Sequence, residues 1–283
     1  MRLINPSRLV RRAFEGGYAV PAFNTNGGSY DITRAAVEAA SETGSPLILQ
    51  TYEPNLGYRG ARHSARIAEF LAAEVDVPVG LALDHGHTVE GCRAALEAGY
   101  TTVMFDGSEL SLEENIAGAK RARAVADHFG AALECEVGHL HTPGEDPDAV
   151  PPKTDPEEAA AFVAEVEVDF LAVAIGTRHG LWKEQKDIDF DLLERIRDRV
   201  QVPIVQHGTG GVSLEDLARV AKLGVAKANF GEVFRAPWVD YFLEEEKALD
   251  HKGHPWKIQK KVMERLKADM KAIIAALGAE GKA

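Results

Sequence analysis

The sequence predicts a single α/β domain folded as a (β/α)8 TIM barrel, with an extra helical arm at its C-terminal end. Eight short apolar runs alternate with amphipathic, helix-like segments, as in a succession of parallel βα units. Most of these runs are continuously apolar, which is typical of strands covered on both faces. The length of 283 residues is ordinary for such a barrel, and the 45% of hydrophobic residues suffices for its core.

The predicted strands follow one another at similar intervals along the chain. The segments between them, such as DITRAAVEAASETG and TVEGCRAALEAGY, carry helical periodicity, and several end in Gly as a helix C-cap does. An open doubly wound sheet is the alternative, but it favours a Gly-x-Gly-x-x-Gly fingerprint after the first strand, and NTNGGSYD lacks that spacing. The eight predicted strands span residues 18–24, 45–50, 77–83, 101–106, 131–137, 169–175, 202–207 and 225–230.

Two stretches depart from this alternation. Residues 138–156 form a long polar loop rich in Pro, Gly and Asp, of the kind that often serves as a lid or is disordered. The tail, residues 232–279, reads as a helix, a break at HKGHPW and a second helix. We therefore expect one barrel domain over residues 1–283, with a helical extension over about 236–283 that is a candidate oligomer contact.

Composition narrows the classes of partner and compartment. The formal net charge is −12 and no basic block occurs, which argues against a nucleic-acid partner. No apolar run approaches the length of a membrane span, and the first residues lack the apolar core of a secretory signal. The 2 cysteines form no Cys-x-x-Cys pair, which fits a reducing compartment. We expect a cytoplasmic protein with no membrane partner.

Three histidines follow predicted strands. His85, His179 and His207 come after the third, sixth and seventh strands, and a Gly follows each of them. In a (β/α)8 barrel the carboxyl ends of the strands meet on one face, where active sites form. A single rim histidine is usually just hydrogen-bonded, but three imidazoles with an open fourth position are typical of a catalytic zinc site. The sequence therefore predicts a metal centre on this rim.

Carboxylates and amides accompany these histidines. Asp84 directly precedes His85 at the end of the third strand. Glu134 and Glu136 alternate in the fifth strand, so both point inward if the strand is regular. Two inward carboxylates need a cationic partner, which favours a nearby metal. The other strand ends carry Asn24, Asn26, Asp106, Ser108 and Asn229.

Five motifs, in chain order, resemble the class II, metal-dependent fructose-bisphosphate and tagatose-bisphosphate aldolases. They are PAFNTN, LDHGHTVEGCRAALEAGYTTVMFDGSELSLEENI, LECEVG, AIGTRHGLWK and VQHGTGGVS. The similarity runs from about residue 5 to about residue 235 and continues more loosely to the end. The resemblance implies a TIM-barrel lyase of carbohydrate metabolism that reversibly cleaves a ketose or ketose phosphate. It also implies a small-molecule sugar substrate and a homodimer or homotetramer.

The resemblance gives roles to the rim residues. His85, His179 and His207 would hold one Zn²⁺ per subunit, for which Co²⁺ or Mn²⁺ can substitute, and the ion would stabilise an enediolate. Asp84 would move the proton of the C4 hydroxyl as base in cleavage and as acid in condensation. Glu136 would be a supporting carboxylate or an alternative metal ligand.

Further roles concern proton transfer and substrate contact. Glu145, in the loop 138–156, stands where the family places its enediol proton-transfer carboxylate; the alternative is a solvated loop charge. Asp106 and Ser108 could also form a turn and helix cap. The residues implied to bind substrate are Asn24, Asp106, Ser108, Gly180, Lys183, Gly208, Thr209, Gly210, Asn229 and Glu232.

The sequence departs from the family where the donor phosphate binds. Gly210 stands in place of a serine, and Gly231 and Glu232 replace an Asp-Thr pair, while Lys183 is retained. The loss of two hydroxyl donors and the added carboxylate disfavour a phosphate. We therefore expect an altered donor, such as a non-phosphorylated ketose or hydroxyketone. Tyr52 replaces a small serine after the second strand, and the candidate replacement anion contacts are Arg59, Arg62, Arg178 and Arg235.

Two other functions compete with an aldolase. The pair His85-x-His87 suggests a barrel metallohydrolase, but those enzymes usually carry this pair after the first strand and an Asp after the eighth. Here the pair follows the third strand, and Asn229 follows the eighth. The broken phosphate motif suggests a non-catalytic sugar-binding homologue. A binding-only barrel gains little from Asp84 and three rim histidines, which favours the enzyme.

Overall fold

Eight parallel strands close into a barrel in the computed structural model, which describes residues 3–140, 150–250 and 252–283. Each strand pairs with its neighbours in chain order, and β8 returns to pair with β1, with Ala22 opposite Asn229. This closure confirms the (β/α)8 prediction and excludes the open sheet. The strands are β1 Val20–Asn24, β2 Leu47–Tyr52, β3 Val79–Gly86, β4 Thr102–Phe105, β5 Ala132–Val137, β6 Phe170–Val173, β7 Ile204–Gln206 and β8 Val225–Phe230.

Helices connect the strands and cover the outside of the barrel. The predicted Gly caps are present after α2, α5 and α6, where Gly44, Gly99 and Gly130 adopt the left-handed conformation. A 3-10 turn, Glu53–Asn55, follows β2. The helices are α1 Ser7–Gly16, α2 Tyr30–Thr43, α3 Leu56–Arg59, α4 Ala61–Ala72, α5 Val89–Ala98, α6 Leu112–Phe129, α7 Pro156–Glu165, α8 Phe190–Val200, α9 Leu214–Leu223, α10 Glu232–Ala248 and α11 Pro255–Ala276.

The strands are buried on both faces, as their unbroken apolar sequences predict. Every residue of β1, β3, β5 and β8 is buried. Small alanines on α2 let this helix lie close against the sheet, where Ala35, Ala39 and Ala40 are fully buried. None of the helices in the described part of the chain combines the length and apolarity needed to cross a bilayer.

An irregularity at the end of β3 gives Asp84 and His85 their orientation. Consecutive residues of a regular strand point to opposite faces of the sheet. Here the pairing of β3 with β4 shifts register between Leu83 and Gly86, and His85 has a left-handed φ of 52°. Such a conformation is uncommon for a residue other than glycine and often marks a functional site. Asp84 and His85, though adjacent in the chain, consequently both line the same cavity.

The C-terminal extension consists of two helices with different surroundings. α11 packs against α2, α9 and α10 and also contacts β1, so it fills the position between the last and first helices of the ring. α10 has only Phe234 buried and exposes Val239 and Leu243. The second helix of the predicted arm, α11, is therefore part of the layer of helices that surrounds the barrel. The buried face of α11 is formed by Ile258, Val262, Leu266, Met270, Ile273 and Ile274.

The position of α11 can be tested with a pair of Leu→Ala substitutions. Leu266 is fully buried in α11, so Leu266→Ala should lower the free energy of unfolding by about 2–5 kcal/mol through lost burial and a cavity. Leu243→Ala on α10 is the matched control, and its side chain is 59% exposed. It should change stability by no more than about 0.5 kcal/mol. Urea denaturation measures both. Equal, small effects would mean that α11 is not part of the barrel fold.

Candidate active site

A cavity of about 610 Å³ opens at the carboxyl ends of the strands. All eight strands or the loops directly after them contribute to its lining, as barrel geometry requires of an active site. Its walls are polar and carry both imidazoles and carboxylates. The residues that line it from the strand ends or from the loops that follow them include Asn24, Gln50, Asp84, His85, Asp106, Glu136, His179, His207 and Asn229.

The three predicted histidines converge in this cavity. The ring centroid of His85 lies 4.7 Å from that of His207 and 5.0 Å from that of His179, and the His179 and His207 centroids are 5.9 Å apart. One nitrogen of each ring lies within 4.8 Å of the other two. Nitrogens at this separation can share a single divalent ion.

Carboxylates behind two of the rings determine which nitrogen faces the centre. His85 Nδ1 lies 2.6 Å from Asp106 Oδ2, and His207 Nε2 lies 2.9 Å from Glu134 Oε1. A carboxylate only accepts, so these nitrogens carry the hydrogens, and His85 Nε2 and His207 Nδ1 are left to bind an ion. Each of these two nitrogens lies 4.0 Å from the same atom, Asp84 Oδ1, and His207 Nδ1 also lies 3.3 Å from Asn229 Nδ2.

Glu134 is itself held by a buried lysine. Lys227 Nζ, on β8, donates to Glu134 Oε2 at 2.5 Å, and both side chains are almost inaccessible to solvent. Burial by itself would raise the pKa of Glu134, but the charge of Lys227 and the hydrogen bond to His207 lower it to about 2. Glu134 is thus ionised and accepts from His207. The sequence led us to expect a nearby metal as the cationic partner of this carboxylate, whereas in the structure its partner is Lys227. Lys227 was not predicted, although it alternates with Asn229 along β8.

Asp106 has a similar supporting role for His85. The Ser108 hydroxyl and backbone N–H donate to Asp106 Oδ1 at 2.7 and 3.1 Å, while its other oxygen is bonded to His85. Both oxygens are therefore occupied within the protein. Asp106 and Ser108 line the cavity, as expected of substrate-binding residues. Their hydrogen bonds, however, indicate that the Asp106 carboxylate orients the ring of His85.

Asp84 is oriented by three side-chain amides. Gln50 Nε2 donates to Asp84 Oδ2 at 3.1 Å, and Asn24 Nδ2 donates to the same oxygen at 3.4 Å. Asn229 Nδ2 donates to Asp84 Oδ1 at 3.4 Å and also lies 3.1 Å from His207 Nε2. Gln50 was not among the predicted site residues. Its signal in the sequence was a polar residue at the end of the apolar run SPLILQ.

The negative field around His85 favours a cation. Burial lowers the pKa of His85, but the hydrogen bond to Asp106 and the charges of Asp84 and Glu136 raise it to about 10. Burial and the neighbouring Asp106 also raise the pKa of Glu136, well above its usual value. Glu136 Oε2 is buried and has no hydrogen-bond partner in the described part of the chain. A divalent ion fits these residues because the same carboxylates would stabilise its positive charge.

Glu136 also belongs to a second group of potential ligands. One atom each from His85, Asp106 and Glu136 lie within 4.8 Å of one another. This group shares His85 with the three-histidine group, and two of its members, His85 and Asp106, are already hydrogen-bonded to each other. The arrangement is compatible with the expectation that Glu136 is a supporting carboxylate or an alternative ligand. His87 lines the cavity but belongs to neither group.

The predicted substrate residues divide between the cavity and its surroundings. Gly180, Lys183 and Gly210 are not among the described residues that line the cavity. Glu145 lies outside the described residues. Of the candidate anion contacts, Arg235 lines the cavity, whereas Arg59, Arg62 and Arg178 do not; Tyr52 is also in the wall. The predicted substrate residues that do line it are Asn24, Asp106, Ser108, Gly208, Thr209, Asn229 and Glu232.

Gly210 is required by the packing of two loops. A Cβ atom at Gly210 would collide with the carbonyl oxygen of Gly180, in the loop after β6. A Cβ at Gly208 would likewise press into the backbone of Arg178. The loop after β7 therefore lies directly on the loop after β6, with no room for side chains at these positions. The substitution of serine by Gly210 thus reflects a close backbone contact as well as the loss of a hydroxyl.

The fold and this rim define a TIM-barrel protein with a candidate metal centre at the carboxyl ends of its strands. The model of the family described as "Fructose-bisphosphate aldolase class-II" matches residues 4–282. The chain therefore belongs to the class II fructose-bisphosphate aldolase family, whose members are lyases of carbohydrate metabolism.

Individual relatives support this membership. A fructose-bisphosphate aldolase of Ureaplasma parvum serovar 3 (strain ATCC 700970) is 38% identical over 236 residues, covering 80% of this chain and 78% of the relative. The crystal structure of the YdjI aldolase from Escherichia coli K12 superposes with a TM-score of 0.87 at 28% identity, covering 99% of both chains. A putative fructose-1,6-bisphosphate aldolase from Coccidioides immitis gives a TM-score of 0.85 at 26% identity, covering 97% and 96%.

Removal of Lys227 should destabilise the protein strongly. Lys227→Met leaves Glu134 as a buried charge without its lysine, which should lower the free energy of unfolding by about 3–5 kcal/mol. The control is Lys222→Met, which changes an exposed lysine of α9 and should have an effect within about 0.5 kcal/mol. Denaturant unfolding near neutral pH compares the two. A Lys227→Met protein as stable as the wild type would contradict the role of this ion pair.

Proposed function

We propose that this chain is a zinc-dependent aldolase that reversibly cleaves a ketose and that its donor fragment is non-phosphorylated or otherwise unusual. One observation carries the proposal: His85 Nε2 and His207 Nδ1 face the same oxygen of Asp84, with His179 completing the triad. In this arrangement the three proposed metal ligands and the proposed proton-transfer carboxylate surround one point, which supports the proposal. A substrate oxygen at that point would be within reach of both.

The imidazoles of His85, His179 and His207 would hold the ion. Bound there, Zn²⁺ would act as a Lewis acid on the ketone oxygen and the adjacent hydroxyl of the sugar. Co²⁺ or Mn²⁺ can occupy sites with such ligands, so we propose them as substitutes. Asp106 and Glu134 hold two of the rings in place and thereby limit reorganisation when substrate binds.

Asp84 would move the proton in the bond-breaking step. Its carboxylate would accept the proton of the C4 hydroxyl; the electron pair of the broken O–H bond would form the aldehyde carbonyl while the C3–C4 bond breaks. The bonding pair passes to the donor fragment, which becomes an enediolate. In condensation the same carboxyl returns the proton to the new hydroxyl. The amides of Asn24, Gln50 and Asn229 support this role by fixing the orientation of the carboxylate.

Asn229 is suited to contact the donor fragment. Its Nδ2 lies between Asp84 and His207, and its Oδ1 is buried without a hydrogen-bond partner in the described residues. The Nδ2 hydrogens can be donated to the donor-fragment oxygens as negative charge develops on them, and Oδ1 can accept from a hydroxyl of that fragment. We keep Glu145, outside the described residues, as the predicted group that protonates C3 of the enediolate.

The wall formed by the loops after β7 and β8 supports an altered donor. Glu232 places a carboxylate in the cavity at the start of α10, where a phosphate dianion would be repelled. The Thr209 hydroxyl already donates to the carbonyl of Asn229 at 2.5 Å. Gly180 and Gly210 lie against each other outside the described cavity lining. Arg235 also lies in this wall, where its positive charge could bind a substrate carboxylate or another anion of lower charge than a phosphate.

The proposal predicts that activity depends on a divalent metal. Chelator treatment should abolish aldol cleavage, and added Zn²⁺ should restore it. His179→Ala should reduce bound zinc and activity together, because it removes one of three ligands. Metal analysis and a coupled aldehyde assay provide the measurements. Full activity without metal would contradict the proposal, bound zinc without aldol chemistry would favour a sugar-binding homologue, and ester or lactam hydrolysis would favour a metallohydrolase.

The donor preference can be tested by changing Glu232. The wild type should use dihydroxyacetone better than dihydroxyacetone phosphate, and Glu232→Thr should shift the ratio of kcat/KM values about tenfold or more towards the phosphate. This is about 1.4 kcal/mol, of the order expected when one charge repulsion is removed. The matched control is Glu215→Thr, an exposed glutamate in the first turn of α9, which should leave the ratio unchanged. A clear wild-type preference for dihydroxyacetone phosphate would disprove the altered donor.

We also propose a homodimer or homotetramer located in the cytoplasm. The partly exposed apolar face of α10, with Val239 and Leu243 on the surface, supports a contact between subunits. The small-molecule sugar substrate follows from the family to which the chain belongs.

A further inference from the structure

The loops after β6 and β7 are joined by several hydrogen bonds next to the metal site. The Thr177 hydroxyl donates to the carbonyl of His207 at 2.9 Å, and the Trp182 indole N–H donates to the carbonyl of His179 at 3.0 Å. The backbone N–H of Gln185 donates to the carbonyl of Gly211 at 2.9 Å. These hydrogen bonds fix the backbone of the two loops that carry His179 and His207.

The side chain of Gln185 lies between the two loops. Its Oε1 accepts from the backbone N–H of Arg178 at 2.8 Å, and its Nε2 donates to the carbonyls of Gly208 and Gly210, both at 2.7 Å. Nε2 also lies 3.1 Å from the Arg178 carbonyl. The side chain is buried, with 7% of its surface exposed. Arg178 directly precedes His179, and Gly208 directly follows His207.

We infer that Gln185 is a positioning residue for the metal centre: its amide bridges the loops that carry His179 and His207 and so fixes the separation of these rings. The inference rests on the metal site of the proposed function. Gln185 does not itself line the cavity, and neither of the metal-ligand groups found among the described residues includes it. It acts on the ion through the backbone of its two neighbours.

The chemistry of this position calls for a glutamine. A primary amide presents two N–H donors and one acceptor in a single plane, which matches two carbonyls of one loop and an N–H of the other. Glutamate could not donate to the carbonyls, and leucine would leave the Arg178 N–H and the carbonyls of Gly208 and Gly210 without this partner. Asparagine is one methylene shorter and could not span both loops. The absence of side chains at Gly208 and Gly210 permits the close approach.

The experiment compares metal binding by the full-length wild type, Gln185→Leu and Gln185→Asn after removal of metal with a chelator. Zinc affinity is measured by competition with a chromophoric chelator, and the visible spectrum of bound Co²⁺ reports the geometry of its ligands. Both variants should lose about 10–100-fold in zinc affinity, as expected when a group that orients metal ligands is removed. Their Co²⁺ spectra should also differ from that of the wild type.

Two controls separate positioning from general destabilisation. Gln259→Leu makes the same change at a partly exposed site on α11. Thr101→Val removes a hydroxyl that bonds both the N–H and the carbonyl of Leu81 at the opposite end of the barrel, so it lowers stability away from the metal. Neither should alter zinc affinity or the Co²⁺ spectrum. Thermal unfolding of the metal-free proteins establishes that each variant is folded; Gln185→Asn, which retains an amide, serves if the leucine variant does not fold.

The outcomes distinguish this inference from the proposed function. A wild type that binds zinc, together with Gln185 variants of unchanged affinity and spectrum, would overturn the positioning role alone. The same loss of affinity in Thr101→Val as in the Gln185 variants would also overturn it, since stability would then account for the effect. A wild type that binds no divalent metal would overturn both the inference and the proposed function.

Discussion

The site depends on hydrogen bonds that hold His85 and His207 from behind. Asp106 and Glu134 each occupy one ring nitrogen, so the remaining nitrogens face Asp84. The arrangement works because Lys227 keeps Glu134 ionised in the barrel interior. A buried ion pair of this kind is a weak source of stability. Its value here lies in fixing the imidazole of His207, while Asp106 fixes that of His85.

The barrel brings the site residues to one rim, and local departures from regular strand geometry determine which way their side chains point. Closure of the sheet brings eight strand ends to one rim, but a regular β3 would point Asp84 and His85 to opposite faces. The register shift against β4 brings both into the cavity. On the other side of the rim, the loops after β6 and β7 lie backbone to backbone, with Gly210 on the Gly180 carbonyl. Asp84 and His85 thus come from β3, whereas His179 and His207 lie in the loops after β6 and β7, and the packing of these loops also shapes the proposed donor wall.

Sequence patterns predicted much of the fold and part of the site. All eight strands and both tail helices were found because apolar runs and helical periodicity are local signals. The convergence of the three histidines also followed, since barrel strands end on one face. Gln185 and Lys227 escaped because their partners, Gly208 and Glu134, lie far away in the sequence. The places of Gly180, Lys183 and Gly210 could not be predicted either, because they depend on how one loop backbone rests on another.

The position of α11 has a consequence for biosynthesis. β8 hydrogen-bonds to β1, and the last long helix lies on α2, so the first and last parts of the chain share one wall. Synthesis runs from the N-terminus, so β1 is made well before β8, and the ring of strands cannot close until β8 has left the ribosome. The N-terminal βα units must wait with an unpaired β1 edge until then. An exposed strand edge of this kind can pair with another chain, which makes aggregation a hazard while the barrel is incomplete.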